Sequence, residues 1–187
     1  MKTVAIHLAS GFEETEAITI IDVLRRAGLT VIIVSVTGEK QVTGSHQITV
    51  QSDELFDEVN YNQVDMLVLP GGMPGAKNLV AHEGLKQQIR NFDQQQKFLA
   101  AICAAPLVFG RLNLLRNRRA SCYPGFEDEL VGAKIVNQPV TVDGHLITSR
   151  GVGTALDFAL QLTAILAGIE KAEQLAKSML IDFKPNS

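Results

Sequence analysis

Residues 98–106 read Phe98-Leu99-Ala100-Ala101-Ile102-Cys103-Ala104-Ala105-Pro106, and this stretch decides the fold. Its first five residues form a continuous apolar run, which is typical of a strand buried on both faces of a parallel sheet. The small residues and the proline that follow predict a sharp turn into a helix. Cys103 is therefore expected at a strand-to-helix elbow, where a side chain is presented at the edge of the sheet.

Three more apolar runs predict three more buried strands, at residues 4–8, 31–34 and 65–69. Helical patterns lie between them: one opens with three acids and ends at Gly28, and another covers residues 83–96. Strands that alternate with helices predict an α/β fold with a mostly parallel sheet covered on both faces. We expect a single domain over residues 1–187.

The C-terminal third adds a hairpin at residues 140–147, with Asp143-Gly144 as its turn. Two helices follow it, one ending at Gly168 and the last over residues 170–180. Residues 37–61 have a weaker pattern and are expected to be short alternating pieces and loops, and residues 113–138 are expected to be irregular.

Ligands bind outside the carboxyl ends of the strands in an open parallel sheet. Four predicted loops lie there, at residues 9–16, 70–75, 103–106 and 149–154. The candidate reactive residues and the glycine-rich segments fall in these loops, so the sequence places a functional site at this edge.

Composition excludes several classes of partner. The net charge of −3 gives no electrostatic support for binding nucleic acid or an anionic membrane. Apolar runs are too short to span a bilayer, and the N-terminus does not have the pattern of a signal peptide. Two cysteines are no disulfide framework, so we expect a cytoplasmic protein.

Cys103 has two interpretations. A thiol at a helix N-terminus has a lowered pKa and is nucleophilic, whereas a buried cysteine is often inert and packs like alanine. Gly71 and Gly72 follow the neighbouring predicted strand, so the amides of Gly72 and Ala104 are candidates for holding an oxyanion; the alternative is an ordinary Pro-Gly-Gly turn.

Glu16 is the third candidate. The apolar residues Ala17 and Ile18 follow it directly, so one acid of the helix start is expected to face the protein interior. A buried carboxyl group stays protonated and can act as a general acid or base; the alternative is a solvated helix start. We expect no metal site, since the histidines and cysteines lack metal-ligand spacing, and no phosphate loop or dinucleotide fingerprint.

Five segments in order resemble the ThiJ/PfpI superfamily, also called the DJ-one superfamily, in the branch of the human parkinsonism-associated protein and bacterial YajL. They are Gly11-Phe12-Glu13-Glu14-Thr15-Glu16-Ala17, Arg25-Arg26-Ala27-Gly28, Leu69-Pro70-Gly71-Gly72, Ala100-Ala101-Ile102-Cys103-Ala104-Ala105-Pro106 and Thr148-Ser149-Arg150-Gly151-Val152-Gly153-Thr154. The resemblance implies a flavodoxin-like three-layer sandwich, a homodimer and no cofactor. It also implies that Cys103 is an easily oxidised nucleophile with protonated Glu16 as its partner.

The same resemblance implies supporting roles for further residues. Gly72 and Ala104 would supply backbone amides beside Gly71, Arg26 would reach the site of the partner subunit, and Arg150 would lie near the cysteine. Three positions depart from the family. Ala104 replaces the histidine of the protease-like branch, which argues against a peptidase; Tyr123 replaces a histidine, and His46 replaces a dimer-contact arginine.

Two functions follow from the resemblance. The first is a cofactor-independent glyoxalase or deglycase that acts on methylglyoxal-like 2-oxoaldehydes or their adducts through Cys103 and Glu16. The alternative is an oxidative-stress sensor or redox-activated chaperone that uses an oxidisable cysteine. Both need the same thiolate and the same acid, so the sequence leaves them open.

Overall fold

A computed structural model describes residues 1–185. Its central sheet has seven strands in the order β10-β11-β7-β6-β1-β2-β5. Six of them have the bounds β1 Thr3–Leu8, β2 Thr30–Ser35, β5 Glu54–Leu55, β6 Met66–Leu69, β7 Phe98–Ile102 and β11 Leu146–Ser149. These six run parallel, and the edge strand β10, Val140–Asp143, pairs antiparallel with β11 as the predicted hairpin.

Six α-helices of the described residues cover the sheet: α1 Glu14–Arg26, α2 Gly75–Ala81, α3 Glu83–Gln94, α4 Pro106–Arg111, α5 Ala155–Ala167 and α6 Ile169–Ser178. Two hydrophobic clusters, one on each face of the sheet, form the core. Strand β7 contributes to both, since Ala100 and Ile102 belong to one cluster and Leu99 and Ala101 to the other. Across the sheet, five of the parallel strands lie in the order β2-β1-β6-β7-β11. When these five are renumbered along the chain, this is the flavodoxin-like order 2-1-3-4-5.

Two small ribbons lie outside the main sheet. Strands β3 (Gln41–Thr43) and β4 (Thr49–Gln51) form an antiparallel hairpin, and β8 (Arg119–Ala120) pairs with β9 (Lys134–Ile135). The β3–β4 hairpin is fastened to the loop after β1, because Gly11 N–H donates to the Thr43 carbonyl at 2.8 Å and Ser45 N–H to the Phe12 carbonyl at 2.8 Å. This fastening brings the hairpin to the carboxyl edge of the sheet.

Two expectations for the elements need correction. Helix α2 was not predicted, because its seven residues begin at Gly75 directly after a turn and carry little periodic signal. Residues 113–138, which were expected to be irregular, contain the paired short strands β8 and β9, and these gave little signal because only Ala120 among their residues is buried. No helix among residues 1–185 is both long and apolar enough to cross a membrane.

Candidate functional site

Four loops converge at the carboxyl ends of β1, β6, β7 and β11, as the sequence predicted. Hydrogen bonds join them: Glu13 N–H donates to the Gly71 carbonyl at 2.8 Å, and Cys103 N–H donates to the Ser149 carbonyl at 3.0 Å. Tyr123 N–H donates to the Cys103 carbonyl at 2.8 Å. The backbone around the cysteine is therefore held from several sides.

Cys103 has a φ of 65°, in the left-handed region that residues other than glycine rarely adopt. Holding such a conformation costs roughly 1–3 kcal/mol, so the surrounding hydrogen bonds must impose it. The turn presents a half-buried sulfur, and the backbone N–H groups of Gly72 and Ala104 lie close enough to it to lower its pKa. The two predicted amides are thus beside the sulfur.

Gly71 allows the close approach between the loops. A β-carbon at this position would lie 2.5 Å from Cβ of Cys103, 2.9 Å from Oε2 of Glu16 and 3.0 Å from Sγ. Gly71 N–H donates to Oε2 of Glu16 at 2.9 Å. The glycine therefore makes room for the sulfur and also binds the carboxyl group beside it.

Glu16 lies in the first turn of α1 and is fully buried. Burial raises its pKa to about 7 from an ordinary value of 4.5, although hydrogen bonds with Gly71 and Cys103 act in the opposite direction. Its Oε1 has no hydrogen-bond partner among the described residues. The carboxyl group is thus a buried acid with one unoccupied oxygen.

The prediction of a low thiol pKa is wrong for this environment. Burial and the negative charge of Glu16 raise the pKa of Cys103 to about 12, and the amides of Gly72 and Ala104 offset only part of that rise. The prediction counted a helix N-terminus, but α4 begins three residues later and has only six residues. It did not count the burial or the carboxylate.

A cavity of about 450 Å³ opens above the sulfur. Besides Cys103 and Glu16, its walls include Tyr123 and Arg150, and the Tyr123 ring is half exposed. A β-carbon on Gly151 would lie 3.3 Å from that ring and 3.9 Å from Oε1 of Glu16. The unoccupied oxygen is thus close to the cavity wall.

Arg26 is the predicted site residue that does not lie near Cys103 in the folded chain. It ends α1, ten residues and about 15 Å of helix away from Glu16. Its side chain is exposed and its Nε lies 2.6 Å from Asp22 Oδ2. A role for Arg26 at the site of a partner subunit stays a prediction.

His46 lines the cavity, although sequence reasoning gave it no place in the site. Its Nδ1 lies 2.9 Å from Oε2 of Glu14 and 3.9 Å from Oε1 of Glu13. Burial raises the pKa of Glu14, but the hydrogen bond with the His46 ring and the backbone hydrogen bonds outweigh this effect and lower the pKa to about 2. A carboxylate therefore holds the imidazole at the mouth of the cavity.

Glu13, Glu14 and His46 also have ligand atoms within 4.8 Å of one another, a spacing that suits a metal ion. However, the Glu14 oxygens already accept hydrogen bonds from Ser45, His46 and Ile48. A cation would have to displace these donors, so the cluster is better described as an ion-pair network. The expected absence of a metal stays a prediction.

Comparison with known proteins points to one family. A profile described as the DJ-1/PfpI family matches residues 2–165. DJ-1 homolog B of Arabidopsis thaliana is 38% identical over 95% of this chain. The chain spans 41% and 47% of the lengths of Arabidopsis homologs B and A, so it is less than half as long as these relatives.

A protein of Pyrococcus abyssi that is named a deglycase is 34% identical over 80% of this chain and 90% of its own length. Among solved structures, oxidized DJ-1 of Toxoplasma gondii superposes with a TM-score of 0.94 at 34% identity, covering 98% of this chain and 100% of the other. These matches confirm the family resemblance and the flavodoxin-like α/β fold.

Proposed function

We propose that this chain, which belongs to the DJ-1/PfpI family, is a cofactor-independent enzyme that converts 2-oxoaldehydes such as methylglyoxal to 2-hydroxy acids. Adducts of these aldehydes are included as substrates. One observation carries the proposal: the sulfur of Cys103 meets a buried acid and two amide donors at the floor of a cavity. The name of the Pyrococcus relative supports the same class of substrate.

The proton shared by Glu16 and Cys103 prepares the nucleophile. The pair loses one proton near pH 7 and the second near pH 12. Burial and the charge of Glu16 place the first proton loss on the carboxyl group, so the sulfur is a thiol at neutral pH and the Glu16 carboxylate takes its proton as the aldehyde binds. Glu16 then holds this proton and is ready to act as an acid.

The thiolate adds to the aldehyde carbon, and Glu16 gives its proton to the aldehyde oxygen to form a hemithioacetal. The Glu16 carboxylate removes the proton from the former aldehyde carbon and returns it to the neighbouring carbonyl carbon, while the hydroxyl proton of the hemithioacetal moves to the neighbouring carbonyl oxygen. This isomerisation oxidises one carbon and reduces the next, so no external redox agent is needed. Water then hydrolyses the 2-hydroxy thioester and regenerates the thiolate.

Roles for the other residues follow from this scheme. The amides of Gly72 and Ala104 stabilise negative charge on the reacting groups, and Gly71 positions the carboxyl group. Tyr123 and Arg150 form the cavity wall. Ala104 leaves no histidine directly after the nucleophile, which argues against a peptidase.

Product release is the decisive experiment, because a thiol can trap an aldehyde without turnover. Purified protein is incubated with methylglyoxal, and lactate is measured over many equivalents of enzyme. We expect continuous release by wild type and by Cys122→Ala and none by Cys103→Ala. Stoichiometric trapping without lactate would contradict the proposal.

A redox sensor or redox-activated chaperone is the second candidate, because the related Toxoplasma structure is of an oxidized protein. Peroxide would take the Cys103 thiolate through sulfenate to sulfinate and release one water at each step. The Glu16 hydroxyl and the two amides would donate to the new oxygens. Trapping without turnover, together with selective oxidation of Cys103, would favour this function.

The oligomeric state and the cellular location are also part of the proposal. A homodimer rests on the resemblance of the Arg25-Arg26 segment to the dimer surface of the family, and a cytoplasmic location on the two free cysteines. Light scattering at micromolar concentration would test the dimer.

A further inference from the structure

The cavity above Cys103 is larger than methylglyoxal requires. Its volume of about 450 Å³ lies within the range of roughly 300–1,000 Å³ for sites that enclose drug-sized ligands. A three-carbon aldehyde bound to the sulfur would leave most of this space for other parts of a substrate. The groups that line that space then decide which substrates bind well.

Arg150 is the first such group. It follows β11, is half buried and lines the cavity. Its guanidinium forms no hydrogen bond or ion pair within residues 1–185. Apart from Glu16 and Cys103, the other charged side chains that line the cavity each have a partner. A guanidinium presents a planar fork of donors that fits a carboxylate or phosphate.

His46 is the second group. Glu14 binds Nδ1 at 2.9 Å and the backbone N–H at 2.6 Å, which fixes the residue at the cavity mouth. Contact with this carboxylate raises the pKa of His46, which favours a positively charged ring. The Nε2–H group has no partner among the described residues and is available to a ligand.

The acids at the cavity have hydrogen-bond or ion-pair partners of their own. Glu13 accepts the Glu16 N–H at 2.6 Å through Oε2, and its Oε1 lies near the His46 ring. Glu14 forms an ion pair with His46. When the sulfur of Cys103 is charged, Glu16 is protonated and carries no charge. Among the described residues that line the cavity, Arg150 and His46 are therefore the positively charged donors that face the distal part of a substrate.

We propose that the preferred substrate carries an anionic group, a carboxylate or a phosphate, which Arg150 and His46 bind while Cys103 attacks the aldehyde. The inference rests on the proposed function and names its substrate class: anionic 2-oxoaldehydes or anionic adducts of 2-oxoaldehydes. Arg150 and His46 are then specificity-determining residues.

Matched pairs of substrates test this. The carboxylate pair is 4,5-dioxopentanoate and the neutral 2-oxopentanal; the phosphate pair is 3-phosphooxy-2-oxopropanal and 3-hydroxy-2-oxopropanal. Within each pair the reacting end is identical, so a difference in kcat/KM reports the distal group. We expect a preference of tenfold or more for the charged member of at least one pair, and the favoured pair identifies the anion.

Variants assign the effect to residues. His46→Gln and Arg150→Gln should each lower kcat/KM for the favoured anionic substrate roughly tenfold, mainly through KM, and change it less than twofold for the neutral partner. Arg150→Lys should restore part of the loss. Arg90→Gln, on the exposed face of α3, is the matched control and should alter neither.

Equal kcat/KM for charged and neutral members, or equal losses for both in the variants, would overturn the inference and leave the proposed function intact. If wild type turns over none of the four, the proposed function fails. Calorimetry with Cys103→Ala protein then tests whether the anion site exists. Tighter binding of the charged members, lost when His46→Gln is added, would support the site. Equal binding of charged and neutral members would refute it.

Discussion

The buried carboxyl group of Glu16 lies beside the sulfur of Cys103, and both groups approach the position of a β-carbon on Gly71 to about 3 Å. Burial raises the pKa of both groups; the negative charge of Glu16 raises that of Cys103 further, whereas the contact with Cys103 lowers that of Glu16. The position of the thiol proton decides whether the sulfur is a nucleophile. This relationship leads to two predictions.

The first prediction concerns the ultraviolet absorbance of the thiolate, measured against pH in Cys122→Ser protein. Glu16 gives up the first proton near pH 7 without a thiolate signal, so thiolate absorbance is expected only near pH 12. In Glu16→Gln the carboxylate charge is gone, so the transition is expected at a lower pH. A transition at the same pH in both proteins would contradict the effect of the carboxylate on the thiol.

The second prediction concerns turnover in Glu16→Gln. An amide donates a hydrogen bond but cannot transfer a proton at neutral pH, so release of 2-hydroxy acid should fall roughly a hundredfold or more. Glu173→Gln, on the exposed face of α6, is the matched control and should keep wild-type turnover. If turnover persists in Glu16→Gln and disappears in Cys103→Ala, another group performs the proton transfer.

Gly71→Ala is the third prediction. The added methyl would lie 2.5 Å from Cβ of Cys103, so the elbow must shift, and we expect a loss of about 1–3 kcal/mol in the free energy of unfolding. Turnover should fall with it, since the sulfur and the carboxyl group move apart. Gly153→Ala places its methyl where nothing lies within 4 Å and should change stability by less than about 0.5 kcal/mol. Urea denaturation measures both, and equal stabilities would contradict the close approach.

The fourth prediction follows from the ion pair between Glu14 and His46. The folded pKa of Glu14 is lowered to about 2, so its stabilising effect is complete above its ordinary pKa of 4.5 and is lost as the pH falls toward 2. Glu14→Gln should therefore lower the free energy of unfolding by about 2 kcal/mol at pH 7 and by progressively less between pH 5 and pH 2. Denaturation curves at several pH values test this, and a difference that does not change with pH would contradict it.

The fifth prediction concerns mild peroxide. Cys103 is half buried and has donors for new oxygens, whereas Cys122 is only 5% exposed. Peptide mass spectrometry should find two added oxygen atoms on Cys103 before any on Cys122. The opposite order would exclude Cys103 as the sensitive thiol.

The sequence predicted the elements that carry the site because their signals are local. Strand β7 is a run of five apolar residues, and the loops that follow the parallel strands contain small residues and glycines. The Asp143-Gly144 turn of the hairpin is equally local. In each case the neighbouring residues alone specify the structure.

Contacts between distant segments could not be predicted in this way. His145 illustrates this, since its position directly after a turn is typical of an exposed side chain, yet it is buried with Nε2 at 2.8 Å from Oδ1 of Asp93. His46 reaches the cavity only because its hairpin is fastened to the loop after β1. The raised pKa of Cys103 likewise depends on Glu16, which lies 87 residues earlier in the chain.

The β3–β4 hairpin has one further consequence. The sulfur and the amides belong to loops anchored in the buried sheet, and the acid belongs to helix α1. His46, in contrast, comes from a ribbon that contributes no strand to that sheet. Evolution could therefore replace the ribbon and change substrate preference while the reactive centre stays as it is. A protein engineer could treat residues 41–51 as an exchangeable cassette and select new specificities without redesigning the chemistry.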